Sequence, residues 1–526
     1  MALDVLSPPT LVVVGIITVY LGLYWTSSRK VDTREPPIIT SGIPYVGHLL
    51  GMALYGGRYV KSIGLRNRQT PVFTLPVPNS RIYIVVDPSL AAAVQRASKA
   101  LSFTPIIPEV TERILGLDAA TKSIASKNLD PGPGDERGFL ADIQEMVYSK
   151  LGPGSYLSEL TRDAAQELKN EVDGYRTTLE ARPGSKELID LLEWVRHFVT
   201  VSTAKYLYGP QNPLSKHAEL EEAFWDFDHG LGALMINMMP SITARKAYQG
   251  REKLVQALAD YLEAGAYRTG SQIIQERVSL ALKHGWALRE VARSELSFLF
   301  AGIVNATTST FWIILQIFAD PNILSRVRDE IVSSVGEDGE GTRVLNVEML
   351  KDQCPVLMAV YRECLRLNSD NNSIRIVKEP TILADRYYLA KDSVVQIAGG
   401  VIHADQSIWG SNVDEFDHGR FLGQGTGLTK EKEKQYHPAA FRAFGGGKTL
   451  CPGRHFATYE ILSFVALIVL QFDMESPDGG EIKVPKKNDA VLPVHILEPR
   501  EAVKLVVRPR REWDAGKGLR ISIGKE

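Results

Sequence analysis

A glycine-rich loop that leads into a cysteine-proline pair constrains this chain more than any other feature. The segment FGGGKTLCPGRHFATYEI occupies residues 444–461. The three glycines at 445–447 allow a tight turn and a close approach of the backbone to a flat ligand. Pro452 is a favoured first residue of a helix, and the residues after it are largely apolar. The pattern therefore predicts a loop that places Cys451 at the N-terminus of a buried helix.

Cys451 has two possible roles on these grounds. A thiolate at a helix N-terminus is stabilised by the helix dipole and by unpaired N–H groups, which suits a metal ligand. The alternative is an inert buried thiol, the usual state of a lone cysteine. The spacing alone leaves both open. Cys354 and Cys364 are the other two cysteines of the chain, too few for a disulfide framework, so the bulk of the protein should face a reducing compartment.

The charge balance excludes one class of partner. The chain has 60 basic and 62 acidic residues among 526, a formal net charge of -2. Nucleic acid binding requires a basic surface, and this balance offers none, so we expect no nucleic acid partner.

The N-terminus predicts a membrane anchor. Leu11–Trp25 has no charged residue and, with its polar flanks, reaches roughly the 20 residues that cross a bilayer. Arg29 and Lys30 follow, so the positive-inside rule places the rest of the chain in the cytoplasm. A cleaved signal peptide is the alternative, although the basic leading region of such peptides is missing. We predict an anchor at residues 1–30 and a stiff, proline-rich neck at 31–50.

The remaining pattern is mainly helical with a small amount of sheet. Residues 72–88 are rich in β-branched side chains around a Pro-Asn turn, which predicts two strands. Residues 296–318 carry no charge and could form a second membrane span. Polar residues crowd the middle of this run, so we interpret it as a buried core helix. Longer amphipathic patterns predict helices at residues 158–175, 219–234 and 251–267.

The loop motif resembles that of a known family. Phe444, Gly447, Cys451 and Gly453 form the pattern F-x-x-G-x-x-x-C-x-G, which is similar to the haem-binding loop of the cytochrome P450 family. The resemblance implies that these four residues bind haem and that Cys451 is the axial thiolate ligand of its iron. It also implies the family fold, a single large haem domain, which we place at residues 51–526.

Further elements occur in the order that the family has. Glu363 and Arg366 form an E-x-x-R pair at helical spacing, where the two side chains can meet. The segment FDHGRF resembles the one whose arginine joins that pair, here Arg420. HADQSIWG, at residues 403–410, is similar to the strand and turn before it. The resemblance therefore implies a buried network of Glu363, Arg366 and Arg420.

Two departures from the family pattern concern the haem. Many relatives have an arginine or histidine two positions before the cysteine, which pairs with a haem propionate, and here the residue is Thr449. Lys448 and Arg375 are candidates to supply that charge instead, and Arg375 is favoured by its place after the E-x-x-R helix.

The second departure lies in the predicted core helix. Typical members have an acid and a threonine that supply protons for oxygen activation, and here Val304 and Asn305 occupy those positions. An asparagine can donate a hydrogen bond and hold a water, but it cannot relay a proton as a hydroxyl does. We take Asn305 and Thr308 as candidate catalytic residues. The asparagine and Thr449 are similar to the steroid 7α-hydroxylase and prostacyclin synthase branch, which contains hydroxylases and isomerases.

The resemblance implies a monooxygenase of the endoplasmic reticulum membrane. It would oxidise a lipophilic molecule such as a terpenoid, sterol or other secondary metabolite with O2. Electrons would come from an NADPH-dependent flavoprotein reductase, because no flavin or nicotinamide motif occurs in this chain. The open alternatives are an isomerase or dehydratase without external electrons, motivated by Val304 and Asn305, and a haem-binding protein without turnover.

Overall fold

The computed structural model describes residues 8–422, 436–491, 493, 495–513 and 518–524, with side chains from residue 15 onward. The helices are α1 (Pro8–Ser27), α2 (Gly47–Tyr55), α3 (Gly57–Arg66), α4 (Pro88–Arg96), α5 (Ile106–Leu115), α6 (Ala119–Ala125), α7 (Phe139–Leu151), α8 (Ser155–Glu180), α9 (Leu191–Tyr208), α10 (Ala218–His229), α11 (Leu231–Ile236), α12 (Pro240–Thr243), α13 (Arg245–Glu263), α14 (Gln272–Lys283), α15 (Leu288–Ala319), α16 (Pro321–Ser334), α17 (Val347–Gln353), α18 (Pro355–Asn368), α19 (Gly399–His403), α20 (Gln406–Trp409) and α21 (Arg454–Gln471). The strands are β1 (Val72–Val77), β2 (Ser80–Val85), β3 (Leu101–Ser102), β4 (Glu187–Asp190), β5 (Val335–Glu337), β6 (Arg343–Asn346), β7 (Asn372–Val377), β8 (Thr381–Leu383), β9 (Tyr387–Leu389), β10 (Val394–Ala398), β11 (Phe472–Glu475), β12 (Lys504–Pro509) and β13 (Leu519–Ser522).

The strands form small sheets at the margins of a helical body. The largest has the order β1-β2-β10-β7-β3, in which β2 and β10 are parallel and the other pairs antiparallel. Its first two strands are the hairpin predicted at residues 72–88, and Asn79 in the turn has a φ of 56°, a conformation that asparagine tolerates. The prediction of a mainly helical fold with minor sheet is confirmed.

Helix α15 is the centre of the hydrophobic core. Among the fully described helices it is the one long and apolar enough to cross a bilayer, and 72% of its most apolar window is buried inside the protein. It packs against α9, α13 and α21. The interpretation of residues 296–318 as a core helix is therefore confirmed, because protein and not lipid covers its apolar surface.

The other predicted helices are present with shifted ends. Residues 158–175 lie within α8, and residues 251–267 cover most of α13 and reach the 3-10 turn Ala266–Thr269. The pattern at 219–234 is divided between α10 and α11 at Gly230, where a Cβ would lie 2.2 Å from that of Ala247. The break lets α10 and α13 approach closely.

The N-terminal segment forms a helix, and the predicted neck is packed against the body. Helix α1 is followed by Glu35, which is buried and pairs with Arg81 at 2.9 Å. Tyr83 also donates to this carboxylate at 3.0 Å, and Ile38 bridges to Thr74 of β1. Residues 35–38 thus continue the edge of the largest sheet.

Candidate active site

A cavity of about 610 Å³ lies between the middle of α15 and the loop before α21. One wall is a single face of α15, comprising Phe298, Ala301, Gly302, Asn305, Ala306 and Ser309. The opposite wall is the loop itself, comprising Ala443, Phe444, Gly445, Thr449, Cys451, Pro452 and Gly453. The rim includes residues 371–375 of β7 and its approach, together with His495 and Ile496. Two features that stood out separately in the sequence therefore face each other across one space.

The glycines hold the loop in a shape that other residues would not adopt. Gly445 and Gly447 have φ values of 74° and 62°, in the left-handed region. A Cβ at Gly447 would also lie 2.8 Å from the Cβ of Gln95 on α4, which is too close. The N–H of Cys451 donates to the carbonyl of Phe444 at 2.9 Å and closes the loop. The thiol is thus fixed at the start of α21.

Cys451 differs from the other two cysteines in its surroundings. Burial raises the pKa of its thiol, while the N–H groups of Gly453 and Arg454 and the charge of Arg454 act in the opposite direction. Burial also raises the pKa of Cys354 to about 12 and that of Cys364 well above its ordinary value. Of the three, all of them described, Cys451 is the one that lines the cavity. Coordination to a metal cation deprotonates such a thiol.

The predicted charge network is present and fully enclosed. Arg366 donates to both carboxylate oxygens of Glu363, at 2.8 and 2.7 Å, and Arg420 donates to Oε1 at 3.1 Å. The side chains of Glu363, Arg366 and Arg420 are 0%, 1% and 8% exposed. Arg366 also donates to the carbonyls of His403 and Val413. The network therefore ties α18 to the chain that precedes the cysteine loop.

His403 carries that connection to the loop. Its Nδ1 donates to the carbonyl of Ser369 at 2.9 Å, and its Nε2 accepts the N–H of Arg442 at 2.9 Å. Burial lowers the pKa of His403 to about 3, so the ring is neutral and this tautomer is consistent with both bonds. The backbone two residues before Phe444 is thus held to the end of α18.

Two buried arginines lie on the same side of the loop. Arg375 and Arg442 are 4% and 1% exposed, and neither forms an ion pair with a carboxylate of the described residues. Arg375 lines the cavity and donates to the hydroxyl of Thr449 at 2.6 Å. Burial, and for Arg442 also the charge of Arg375, lowers the pKa of both groups, that of Arg442 to about 10. A buried unpaired cation is costly, so the pair indicates a site for an anionic group.

Asn305 is fixed on the other wall. Its Oδ1 accepts the N–H of Ile496 at 2.9 Å, so the side-chain oxygen is committed to the backbone. The amide NH2 remains available to the cavity as a donor. Val304, next to it, is fully buried and does not line the cavity. The position of the family acid is therefore apolar and faces away from the reaction space.

Two candidates from the sequence lie outside the cavity. Thr308 is fully buried, and its hydroxyl donates to the carbonyl of Val304 at 3.2 Å, within its own helix. Ser309 takes the place one turn after Asn305 on the cavity wall. Lys448 is exposed, and its carbonyl accepts from Tyr148 at 3.1 Å. The helical period places Thr308 beside, and not on, the face of α15 that lines the cavity. Lys448 lies in the short 3-10 turn Gly447–Thr449, which leaves it exposed.

Comparisons with known proteins agree with this geometry. The family model for cytochrome P450 matches residues 166–498, more than half of the chain. The chain belongs to the cytochrome P450 family. The cytochrome P450 monooxygenase nodJ of Hypoxylon pulicicidum is 32% identical over 502 residues, which cover 93% of each chain. The cholesterol 7-alpha-monooxygenase of Cricetulus griseus is 27% identical over 291 residues, covering 53% of this chain and 56% of that protein.

A solved structure shows the same fold. The retinoic acid-bound cyanobacterial CYP120A1 matches with a TM-score of 0.67 at 20% identity, over 90% of this chain and 99% of that one. By its family membership, this cytochrome P450 is an oxidoreductase with a cysteine-ligated haem. Its family membership implies O2, a redox partner and a small-molecule substrate.

The residues present fit a haem. The cavity is open to the thiol of Cys451 on one wall, and the buried, unpaired Arg375 on its lining would suit a carboxylate of a porphyrin. Arg442 is buried near Arg375 but does not line the cavity. Arg375 was singled out from its place in the sequence, whereas Arg442 was not. No motif marks Arg442, since it stands in an otherwise apolar stretch and only the folded chain brings it to Arg375. His495 is a further cavity residue, and no sequence motif marks it.

Proposed function

We propose that this cytochrome P450 is a membrane-bound monooxygenase that oxidises a lipophilic substrate, with Cys451 as the axial ligand of its haem. One observation supports this most: the only cysteine that lines the described cavity sits in a glycine-shaped loop opposite the α15 face that carries Asn305. Thiolate-ligated haem supplies dioxygen activation strong enough to oxidise an unactivated C–H bond.

The chain's own residues bind and orient. Arg375 on the cavity lining would hold a carboxylate of the haem by charge-assisted hydrogen bonds, with Arg442 adding positive charge nearby, and Gly445 and Gly447 would let the backbone approach the cofactor. The NH2 group of Asn305 positions a water or a polar substrate group on the other side. Arg375 is held by Ser373 and Thr449. The side-chain oxygen of Asn305 is held by the N–H of Ile496, so both side chains are positioned before substrate arrives.

The lining of the cavity favours an apolar substrate. Phe298, Ala301 and Ala306 contribute apolar surface on the α15 wall, with Leu207 and Ile374 nearby. Such a surface excludes water and binds hydrocarbon by burial. A terpenoid, a sterol or another lipid-derived secondary metabolite fits this chemistry, and the similarity to a cholesterol 7-alpha-monooxygenase supports the same class.

The N-terminal segment supports attachment to the endoplasmic reticulum membrane. Helix α1 has 20 residues and is therefore about 30 Å long, the thickness of a hydrocarbon core. The large apolar side chains described on it are exposed, and Arg29 follows as a cytoplasmic flank. We assign residues 1–30 to the anchor, 31–50 to the neck and 51–526 to the haem domain. Deletion of residues 1–30 should move the protein from the microsomal pellet to the supernatant, and retention in the pellet would contradict the anchor.

The ligand assignment is tested by spectroscopy. Reduced protein treated with carbon monoxide should show the red-shifted band of thiolate-ligated haem. Cys451→Ser should lose it, while Cys364→Ser, which alters a buried thiol outside the cavity, should retain it. Survival of the band in Cys451→Ser, or its absence from well-folded wild type, contradicts the assignment.

The reaction type is tested by oxygen labelling. Wild-type protein with an NADPH-dependent flavoprotein reductase, in vesicles that contain terpenoids or sterols, should give products carrying one oxygen atom from labelled O2. The proximal face near Lys448 and Arg454 is the proposed docking surface for that reductase. Product formation from a hydroperoxide or endoperoxide without NADPH would instead identify an isomerase or dehydratase.

A further inference from the structure

A row of titratable side chains leads from the protein surface to the cavity beside Asn305. At its outer end, His229 of α10 has a side chain that is 49% exposed, and its Nε2 lies 3.4 Å from Glu498. Asp228 comes next, with a side chain that is 0% exposed. At the inner end, Nε2 of His495 lies 3.5 Å from Oδ1 of Asp228, and His495 lines the cavity.

Asp228 is the unusual member of this row. Neither of its carboxylate oxygens has a hydrogen-bond partner among the described residues. Buried carboxylates normally accept several N–H bonds, so an orphaned one needs an explanation. Burial raises the pKa of Asp228, and the charge of Glu498 acts in the same direction, while His495, His229 and Arg196 oppose it. Burial therefore shifts this carboxyl towards its protonated form.

His495 is held in a definite orientation. Its Nδ1 lies 2.8 Å from the carbonyl of Ile496, which can only accept, so Nδ1 carries a proton. The other ring nitrogen, Nε2, faces Asp228. The N–H of Ile496 donates to Asn305, so one backbone unit connects the imidazole to the asparagine that replaces the family threonine. His495 therefore places an imidazole, which can take up and release a proton, near Val304 and Asn305, whose side chains cannot.

The outer end is not suited to a metal ion, although its geometry resembles a ligand set. One ligand atom each of Asp228, His229 and Glu498 lie within 4.8 Å of one another. However, Arg196 of α9 donates to Glu498 at 2.5 Å, and its Nη2 lies 2.8 Å from Nε2 of His229. A guanidinium at these atoms repels a second cation. A single water can bridge the distances of up to 4.8 Å between the ligand atoms of Asp228, His229 and Glu498. The cluster is therefore better suited to proton exchange than to a metal ion.

We propose that Asp228 and His495 form a proton pathway from the surface to the distal side of the cavity, in place of the acid and threonine of typical family members. The carboxyl of Asp228 gives its proton to Nε2 of His495, and the ring releases the proton on Nδ1 to a water beside Asn305. The histidine is then neutral with its proton on Nε2, and Asp228 is a carboxylate. A flip of the ring, or exchange of the proton through water, returns the proton to the side of the Ile496 carbonyl before the next transfer. Asp228 regains a proton from solvent at the Glu498 and His229 end.

This pathway rests on the proposed monooxygenase function, because that reaction consumes protons. Its first test is the coupling of NADPH oxidation to product. Asp228→Asn keeps the shape of the side chain but cannot transfer a proton, and His495→Gln removes a ring whose side chain is 11% exposed. We expect either change to reduce product per NADPH at least 10-fold, with the balance appearing as hydrogen peroxide. Substrate affinity, measured by the haem absorption shift, should stay within about twofold.

The matched control is Asp142→Asn, which alters the carboxylate of another Asp–His pair, with His284 at 3.0 Å, outside the cavity. If Asp228→Asn and His495→Gln couple as well as this control, the contact is structural only and the pathway is wrong. His495→Gln keeps the test valid if Asp228→Asn does not fold. A wild type that neither consumes NADPH nor forms product contradicts the proposed function instead.

The second test does not depend on turnover. Nitrogen-15 spectra of histidine-labelled protein in its diamagnetic carbon monoxide form should contain the Nε2 signal of His495, identified by its loss in His495→Gln. In the wild type this signal should be an average over the protonated and unprotonated forms of Nε2, because Asp228 and the ring exchange a proton. In Asp228→Asn it should move to the value of an unprotonated acceptor nitrogen, because an amide donates without transferring its proton. An unchanged signal would show that the two groups share no proton and would overturn the proposal.

Discussion

Neutralising Glu363 should destabilise the protein far more than neutralising a carboxylate at the surface. Glu363 is completely buried and accepts four hydrogen bonds, two from Arg366, one from Arg420 and one from the backbone of Asp417. Glu363→Gln removes the carboxylate that two buried guanidinium groups share and turns an NH2 group towards their donors. Breaking a buried ion pair in this way costs about 3–5 kcal/mol.

The measurement is urea unfolding of the haem-loaded protein, followed by far-UV circular dichroism. The urea dependence grows with chain length and exceeds the ~1–3 kcal/mol per M of small proteins, so the loss should lower the midpoint by roughly 0.5–1 M. Glu475→Gln is the matched control, since Glu475 pairs with Arg508 and both side chains are nearly half exposed. Its expected cost is about 0–1 kcal/mol. If the two variants unfold at the same urea concentration, the buried network contributes no more to the free energy of unfolding than the surface pair does, and the prediction is wrong.

Three further changes test other parts of the site. Burial raises the pKa of Glu460 to about 7 from 4.5, so the folded state is penalised progressively as pH rises through that window. Glu460→Gln should therefore stabilise the protein at pH 8 by up to about 3 kcal/mol and have little effect at pH 4.5, and equal effects at both pH values would contradict this. Gly447→Ala must adopt a φ of 62° and approach Gln95, so haem content after purification should fall, with Gly336→Ala in open space as the control. Thr308→Val should leave NADPH coupling unchanged, and a large loss would return Thr308 to the catalytic residues.

Much of the fold and the proximal side of the site could be predicted from local sequence. The residues that shape the cysteine loop stand within ten positions of one another, and Glu363 and Arg366 are one helical turn apart. Backbone conformation and helical spacing are short-range properties, so a sequence pattern can specify them. The core helix was equally predictable, because an uncharged run with a polar centre can be stable only inside the protein.

The distal side could not be predicted, because its geometry depends on contacts between distant parts of the chain. The sequence presented Asn305 and Thr308 as equal candidates, and the packing of α15 alone decided that Asn305 faces the cavity while Thr308 bonds to its own helix. Arg442 and His495 carry no local signal.

The sequence by itself determined the thiol, its loop and the helix opposite. Only the tertiary structure brought Asp228 to His495 and Arg442 to Arg375, because a buried charge takes its chemistry from neighbours that folding supplies.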